Sequence, residues 1–206
     1  MQGRTAQPSK RPVGITQRDI VEAALRIVRT AGVAGLSMRA LAAALGIQAP
    51  TLYHHVRDKA ALLDLISAEA FRSLDRSAGG YHDVATLSEW SAALRADVIA
   101  LRDVYRSHPG LARAVVDHAR MEDTAQAHPA VGHGARVFEP PELTALVRLG
   151  VPQEPARRTI EAAARWTMAA LAAEESVADP VVGDRLFLDG LDLLLLGMVT
   201  ALAGPA

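Results

Sequence analysis

Residues 37–59, SMRALAAALGIQAPTLYHHVRDK, decide how the chain is read. The stretch divides into two short helices at a glycine turn. Ser37 offers a hydroxyl N-cap to the first helix, Leu41, Ala44 and Leu45 give it an apolar face, and Gly46 takes the left-handed backbone that ends it. The second opens near Gln48, carries Pro50 in its first turn where a missing N–H costs nothing, and turns Ile47 and Leu52 inward. Gln48, Thr51, Tyr53, His54 and His55 are left facing outward. A short helix rich in exposed donors and aromatics, held against another by a tight turn, fits a recognition helix for a major groove. Two short packed helices of any α-protein share the same outline.

Charge points the same way. Residues 1–60 carry nine Lys or Arg against three Asp or Glu, a net +6, whereas the remainder carries −7 and the whole chain −1. A basic head on an acidic body suits a polyanion-binding head, although a solvated basic face with no partner has the same composition. Residues 1–14, with Pro8, Pro12, Gly3 and Gly14 and no periodicity, are expected to be a disordered basic arm. The head proper is placed at 15–60. Thr16 is the N-cap candidate for a helix to about Ala31, with Ile20, Ala24, Ile27, Val28 and Ala31 as its apolar stripe and Gly32 as its stop. The expected head core is Ile20, Leu25, Ile27, Leu36, Leu41, Leu45, Ile47 and Leu52. Asp58 caps a further helix, expected to reach about Arg76, that leaves the head and enters a body spanning 61–206.

The body also reads as helices. Leu87, Trp90, Leu94, Val98, Leu101 and Tyr105 keep helical spacing, His108-Pro109-Gly110 breaks the run, and LARAVVDHAR resumes it. Residues 121–141 are expected to form a mobile loop, followed by a helix from Pro140 to Gly150. Two apolar helices close the chain, at 156 to about 177 and 184 to about 203. The last is apolar around its whole circumference, which calls for a subunit interface or a central core position. The fold class is therefore all-α, and 206 residues, half of them apolar, suffice for a sizeable core.

Several functions are disfavoured. Without cysteine there is no disulfide, thiol chemistry or cysteine metal cage, which suits a reducing compartment. The N-terminus lacks the apolar run of a signal peptide, and the segment at 191–204 reads as too short and acid-flanked to span a bilayer, so a cytoplasmic protein without a membrane partner is expected. An enzyme would have to rely on His118 with Asp117 or Asp97. No metal-spaced cluster, phosphate-cradling glycine loop or nucleophile motif supports that reading, so neither catalysis nor a cofactor or metal is expected.

Residues 35–63, GLSMRALAAALGIQAPTLYHHVRDKAALL, resemble the TetR family of transcriptional regulators, and its tetracycline-repressor subgroup in particular. The residues carrying the resemblance are Gly35-Leu36, Arg39, Leu41-Ala42, Leu45-Gly46, Pro50-Thr51-Leu52-Tyr53, His55-Val56, Lys59 and Ala61-Leu62-Leu63. A weaker likeness continues at Ser107-His108 and Phe187-Leu188-Asp189-Gly190-Leu191. It implies a three-helix N-terminal DNA-binding domain with a helix-turn-helix, and a larger C-terminal helical domain for ligand binding and dimerisation. The last two long helices would close a homodimer through a four-helix bundle. It further implies a repressor released from a palindromic double-stranded operator by a small-molecule effector. Ser37 and Arg39 would touch phosphate or a base, Thr51, Tyr53, His55 and Lys59 would hold the backbone, and Gln48, Ala49 and Pro50 would meet base edges, with His54 beside them. The subgroup's Glu-Gln pair is Gln48-Ala49 here, so base preference should differ: Gln48 can bond adenine and Ala49 can meet a thymine methyl.

By the same resemblance the effector pocket falls on Asp75, Asp97, Leu101 and Val115, to which Trp166 is added. Val115 stands where the subgroup has a metal-binding histidine, so a magnesium-tetracycline complex is not implied. His118, one helical turn on, is a candidate substitute. Asp97 would favour a cationic or donor-bearing ligand if it projects into a cavity.

Overall fold

The computed structural model describes residues 14–72, 80–121 and 140–203. These form nine α-helices and no strand: α1 (Gln17–Gly35), α2 (Met38–Leu45), α3 (Ala49–Tyr53), α4 (Lys59–Arg72), α5 (Leu87–Arg106), α6 (Leu111–Met121), α7 (Pro141–Arg148), α8 (Gln153–Glu174) and α9 (Pro180–Ala203). Most of the basic arm expected at 1–14, the interior of the loop expected at 121–141, and the tail of the helix expected to reach Arg76 lie outside the described residues.

The head begins with a capping box. Thr16 Oγ1 accepts from the Asp19 N–H at 3.2 Å, and the Asp19 carboxylate accepts from the Thr16 N–H at 2.8 Å. Gly32, at φ 64 and ψ 178, interrupts α1 as expected, but one further turn follows to Gly35. Ile20, Val21, Ala24, Leu25 and Val28 bury the inner face of α1 with Leu36, Leu41, Ala42, Leu52 and Val56. This corrects the expected core in detail. Ala31 and Ala44 are exposed, and Ile27, Leu45 and Ile47 are only partly covered. The physical reason is the crossing of α2 and α4 over α1, which selects the 20/21/24/25/28 face and leaves its last turn outside.

Helix α4 packs on α1 in the head and on α5 and α6 in the body, and Leu62, Leu63 and Ile66 join one continuous core. A rotation of α4 is therefore felt at both ends. In the body, α5 buries Trp90, Leu94, Val98, Leu101 and Tyr105, the stripe that helical spacing predicts. Thr86 and Glu89 close a second capping box at its start. The Trp90 indole N–H donates to the Glu142 carbonyl at 3.0 Å, fixing α7 across α5.

The last two helices lie against each other. Trp166 of α8 stacks at a tilt on Phe187 of α9, centroids 5.8 Å apart, and a Cβ on Gly190 would come within 2.9 Å of the Trp166 ring. Glycine is what lets that ring lie on α9. Helix α9 starts at Pro180, four residues earlier than the sequence suggests, because Pro180 opens its first turn and the Asp179 carboxylate accepts the Val181 N–H at 2.9 Å. At 24 residues it is long and apolar enough to cross a membrane by length and composition, which corrects the expectation that this segment is too short. Its inner face, Gly183, Phe187, Leu191, Leu195 and Met198, is buried against α5 and α8. Its outer face leaves Leu186, Leu193 and Leu196 about two-thirds exposed.

Candidate nucleic-acid interface

The reading pair is built by local rules. Ser37 Oγ accepts the Ala40 N–H at 3.1 Å and starts α2. Gly46, at φ 68 and ψ 27, is its left-handed stop, and its N–H returns to the Ala42 and Ala43 carbonyls. Gln48 is the N-cap residue of α3, yet its side chain makes no capping bond. Its amide is thus exposed at the entrance of the helix with its donors and acceptor uncommitted to that cap. Pro50 sits in the first turn, where it removes no helical bond.

The predicted DNA-facing residues fall on α2, α3, their flanking turns and the first residue of α4. Ser37, Arg39, Gln48, Pro50, Thr51, His54, His55 and Lys59 are exposed, Tyr53 is half exposed, and Ala49 is partly covered. One boundary differs. Helix α3 ends at Tyr53, so His54 is its C-cap residue and His55 lies in the following turn rather than on the helix. Five residues of helix leave little length for the continuing pattern, and the Val56 N–H closes the turn by bonding the Leu52 carbonyl at 3.0 Å. Lys59 also has a role the sequence does not suggest: its ammonium donates to the Val33 carbonyl at 3.2 Å, tying the start of α4 to the end of α1.

The effector candidates are less unified. Asp75 lies outside the described residues. Leu101 and Val115 are buried in the common core, and Trp166 packs at its margin. Asp97 accepts a 3.0 Å hydrogen bond from the buried Tyr81 hydroxyl, so its carboxylate already has an internal partner. The Tyr81 carbonyl in turn accepts from the Arg148 guanidinium. His118 is half buried and has a polar partner of its own.

A cleft of about 490 Å³ lies elsewhere, floored by Tyr105, Leu171 and Val177 and edged by Arg113, Glu174 and Glu175. Burial pushes the Tyr105 hydroxyl up to about 12, so it stays protonated throughout the neutral range. Beside the cleft is a charge network that sequence reading misses. Arg102, almost wholly buried, donates to both Glu174 oxygens at 2.9 and 2.5 Å and to Asp184 at 2.6 Å, and its guanidinium lies 4.4 Å from the Phe187 ring centre. The bonds to Glu174 raise its pKa further, so the cation is permanent. No local signal marks Arg102, because its partners stand 72 and 82 residues away in the chain.

A glycine-turned helix pair set in a basic three-helix head, carried on a larger helical body, is a helix-turn-helix arrangement. Residues 20–66 match the family model described as "Bacterial regulatory proteins, tetR family". The chain is similar to the tetracycline repressor protein class D of Escherichia coli, at 34% identity over 91 residues, 43% of this chain and 38% of that one. It thus spans about two-fifths of that relative's length. In fold it is similar to the Streptomyces coelicolor TetR family protein ActR in complex with actinorhodin, at TM-score 0.71 and 21% identity over 94% of this chain and 100% of the other. BioQ, solved with its double-stranded DNA operator, matches at TM-score 0.65 and 24% identity over 90% of this chain and 99% of the other. The family's sequence pattern thus lies in residues 20–66, and the described helices share the fold of these solved structures.

Proposed function

We propose that the protein is a sequence-specific DNA-binding regulator of transcription, a repressor that a small-molecule effector releases from its operator. The observation that carries this reading is the exposed Gln48 amide at the entrance of α3, free of capping duty and followed by exposed Thr51, Tyr53, His54 and His55. In a major groove Gln48 reads adenine through two bonds, and Ala49 and Pro50 offer apolar contact to a thymine methyl. Ser37, Arg39, Thr51, Tyr53, His55 and Lys59 hold phosphates and set the register. BioQ is a fold neighbour described with DNA, and ActR one described with a small molecule.

The functional unit is a homodimer. Leu186, Leu193 and Leu196, with Val181 and Val182, form an exposed apolar face along α9 that a second copy covers, giving a four-helix bundle with α8. Burial there, rather than a membrane, accounts for the apolar outer face, and the molecule works in the cytoplasm. The dimer presents two α3 helices to half-sites about 34 Å apart. An effector held by the body between α5 and α8, with Asp97 recognising a cationic or donor-bearing group in place of Tyr81, shifts α4 and so changes the separation of the heads. Ligand and operator then compete through their different affinities for two arrangements. The protein performs no catalysis and uses no cofactor or metal.

Fluorescence anisotropy with labelled duplex DNA tests the reading. The protein is expected to bind at low salt, with affinity falling steeply as salt rises, and Tyr53→Ala is expected to weaken binding to every sequence alike. An absence of binding to any duplex at low salt would overturn it.

A further inference from the structure

Behind the reading helices, α1 docks on the loop between α5 and α6. The Val33 N–H donates to the Pro109 carbonyl at 3.0 Å. Gly32 lies so near that a Cβ on it would stand 3.2 Å from the same oxygen, and a Cβ on Gly110 would stand 3.5 Å from that of Val33. Head and body backbones are thus in direct contact. Beside them, Arg29 Nε donates to His108 Nε2 at 3.2 Å.

His108 is only 5% exposed. Its Nδ1 lies 2.7 Å from the Val104 carbonyl and 3.0 Å from Ser107 Oγ. A carbonyl only accepts, so Nδ1 carries the hydrogen, and in the neutral ring Nε2 then presents a lone pair. That lone pair is what Arg29 needs. One tautomer of one protonation state satisfies both sides of the junction. A proton added at Nε2 would set N–H against N–H, and an imidazolium against a guanidinium, in a site shielded from water.

We propose that this junction is a proton-sensitive clasp: α1 stays docked on the 107–110 loop while His108 is neutral, and protonation of His108 releases the head there. The charged and titratable groups on the surrounding elements are Arg26 and Arg29 on α1, Lys59 and Asp64 on α4, Asp103, Tyr105 and Arg106 on α5, Arg113, Asp117 and His118 on α6, and Glu175 just beyond α8. The Glu175 carboxylate is directed elsewhere, accepting the N–H groups of Gly110 at 3.1 Å and Arg113 at 3.2 Å. Lys59 is held on the Val33 carbonyl. Burial first, then the Arg29 charge, hold His108 below the usual histidine range, against the Val104 bond that raises it. The docked state therefore binds the proton less well than the undocked one. Docking is at full strength above the free histidine value, about 6.5, and weakens as pH falls through it.

The experiment reads docking itself in the full-length protein, by exchange of the Val33 amide corrected for intrinsic rate, between pH 7.5 and 5.5. Protection of Val33 is expected to fall at least about threefold more than that of core amides such as Leu94, and the excess fall is expected to vanish in His108→Gln. Arg29→Met should also move the His108 imidazole titration, followed by NMR, to higher pH. Equal behaviour of Val33 and core amides in the native protein, or an undiminished excess fall in His108→Gln, would overturn the clasp. Should His108→Gln fail to fold, an unmoved His108 titration in Arg29→Met would overturn it. Operator binding measured over the same pH range separates the two readings, since absent DNA binding counts against the regulator and leaves the exchange result to decide the clasp.

Discussion

At the scale of single residues, Gly32 and Gly46 share a left-handed backbone but differ in surroundings. Gly46, at φ 68, has open space where a Cβ would stand, whereas Gly32, at φ 64, faces the Pro109 carbonyl. Gly46→Ala should cost about 1 kcal/mol of unfolding free energy, the backbone penalty alone, while Gly32→Ala should cost clearly more because it also pushes the head off the body. Urea unfolding of the two variants side by side checks the order. Gln48 and Tyr53 separate specificity from affinity in the same way. Gln48→Ala should change which base is preferred at one position by about 1–3 kcal/mol, while Tyr53→Ala lowers affinity without changing the preference. Competition binding with single-base operator variants reads both. Much of this was legible in residues 37–59, because caps, glycine stops and exposure follow from neighbours within one or two helical turns. The Arg29–His108 bond was not, since its partners are 79 residues apart and no local pattern joins them.

At the scale of elements, periodicity located the helices and their apolar stripes but not the polar joints between them. Helix α5 shows both halves of that statement. Its buried stripe follows directly from spacing, yet Arg102, which bonds Glu174 of α8 and Asp184 of α9, carries no signal in the sequence. Arg102→Leu removes a buried cation and leaves Glu174 buried with only the half-exposed Arg106, 3.0 Å away, to answer it. A loss of about 3–5 kcal/mol is expected by thermal or chemical unfolding. Elements also respond to acid. Asp58 accepts the Ala61 N–H at 2.8 Å at the start of α4, and that bond holds its carboxyl below the ordinary aspartate range. The stabilisation is present above the unfolded value, about 4, and is lost as pH falls through the lower folded value. In Asp58→Ala the acid branch of a stability-against-pH curve should flatten, and stability at neutral pH should fall with the loss of the cap.

For the whole molecule, the charge balance sets basic residues 1–60 against an acidic remainder, and the helical architecture was visible in the spacing. The expected effector site was not legible as a single place. Its candidates carry a family pattern whose residues have changed here, and Asp97 is already bonded by Tyr81, a partner 16 residues away that precedes α5. Dimerisation can be tested without DNA or ligand. Leu193→Glu, at a position 70% exposed in the single chain, should shift the protein from dimer to monomer by light scattering while leaving the head folded. A variant that stays dimeric would move the interface away from α9.

The central claim joins these scales: a dimer whose α3 helices read DNA through Gln48. Selection of bound duplexes from a random pool by the full-length protein tests it most directly. The expected result is enrichment of an inverted repeat with half-site centres about 10 base pairs apart, with the preference at one position in each half-site altered when Gln48→Ala protein makes the selection. A pool that emerges unenriched, or an identical enriched sequence with Gln48→Ala, would contradict it.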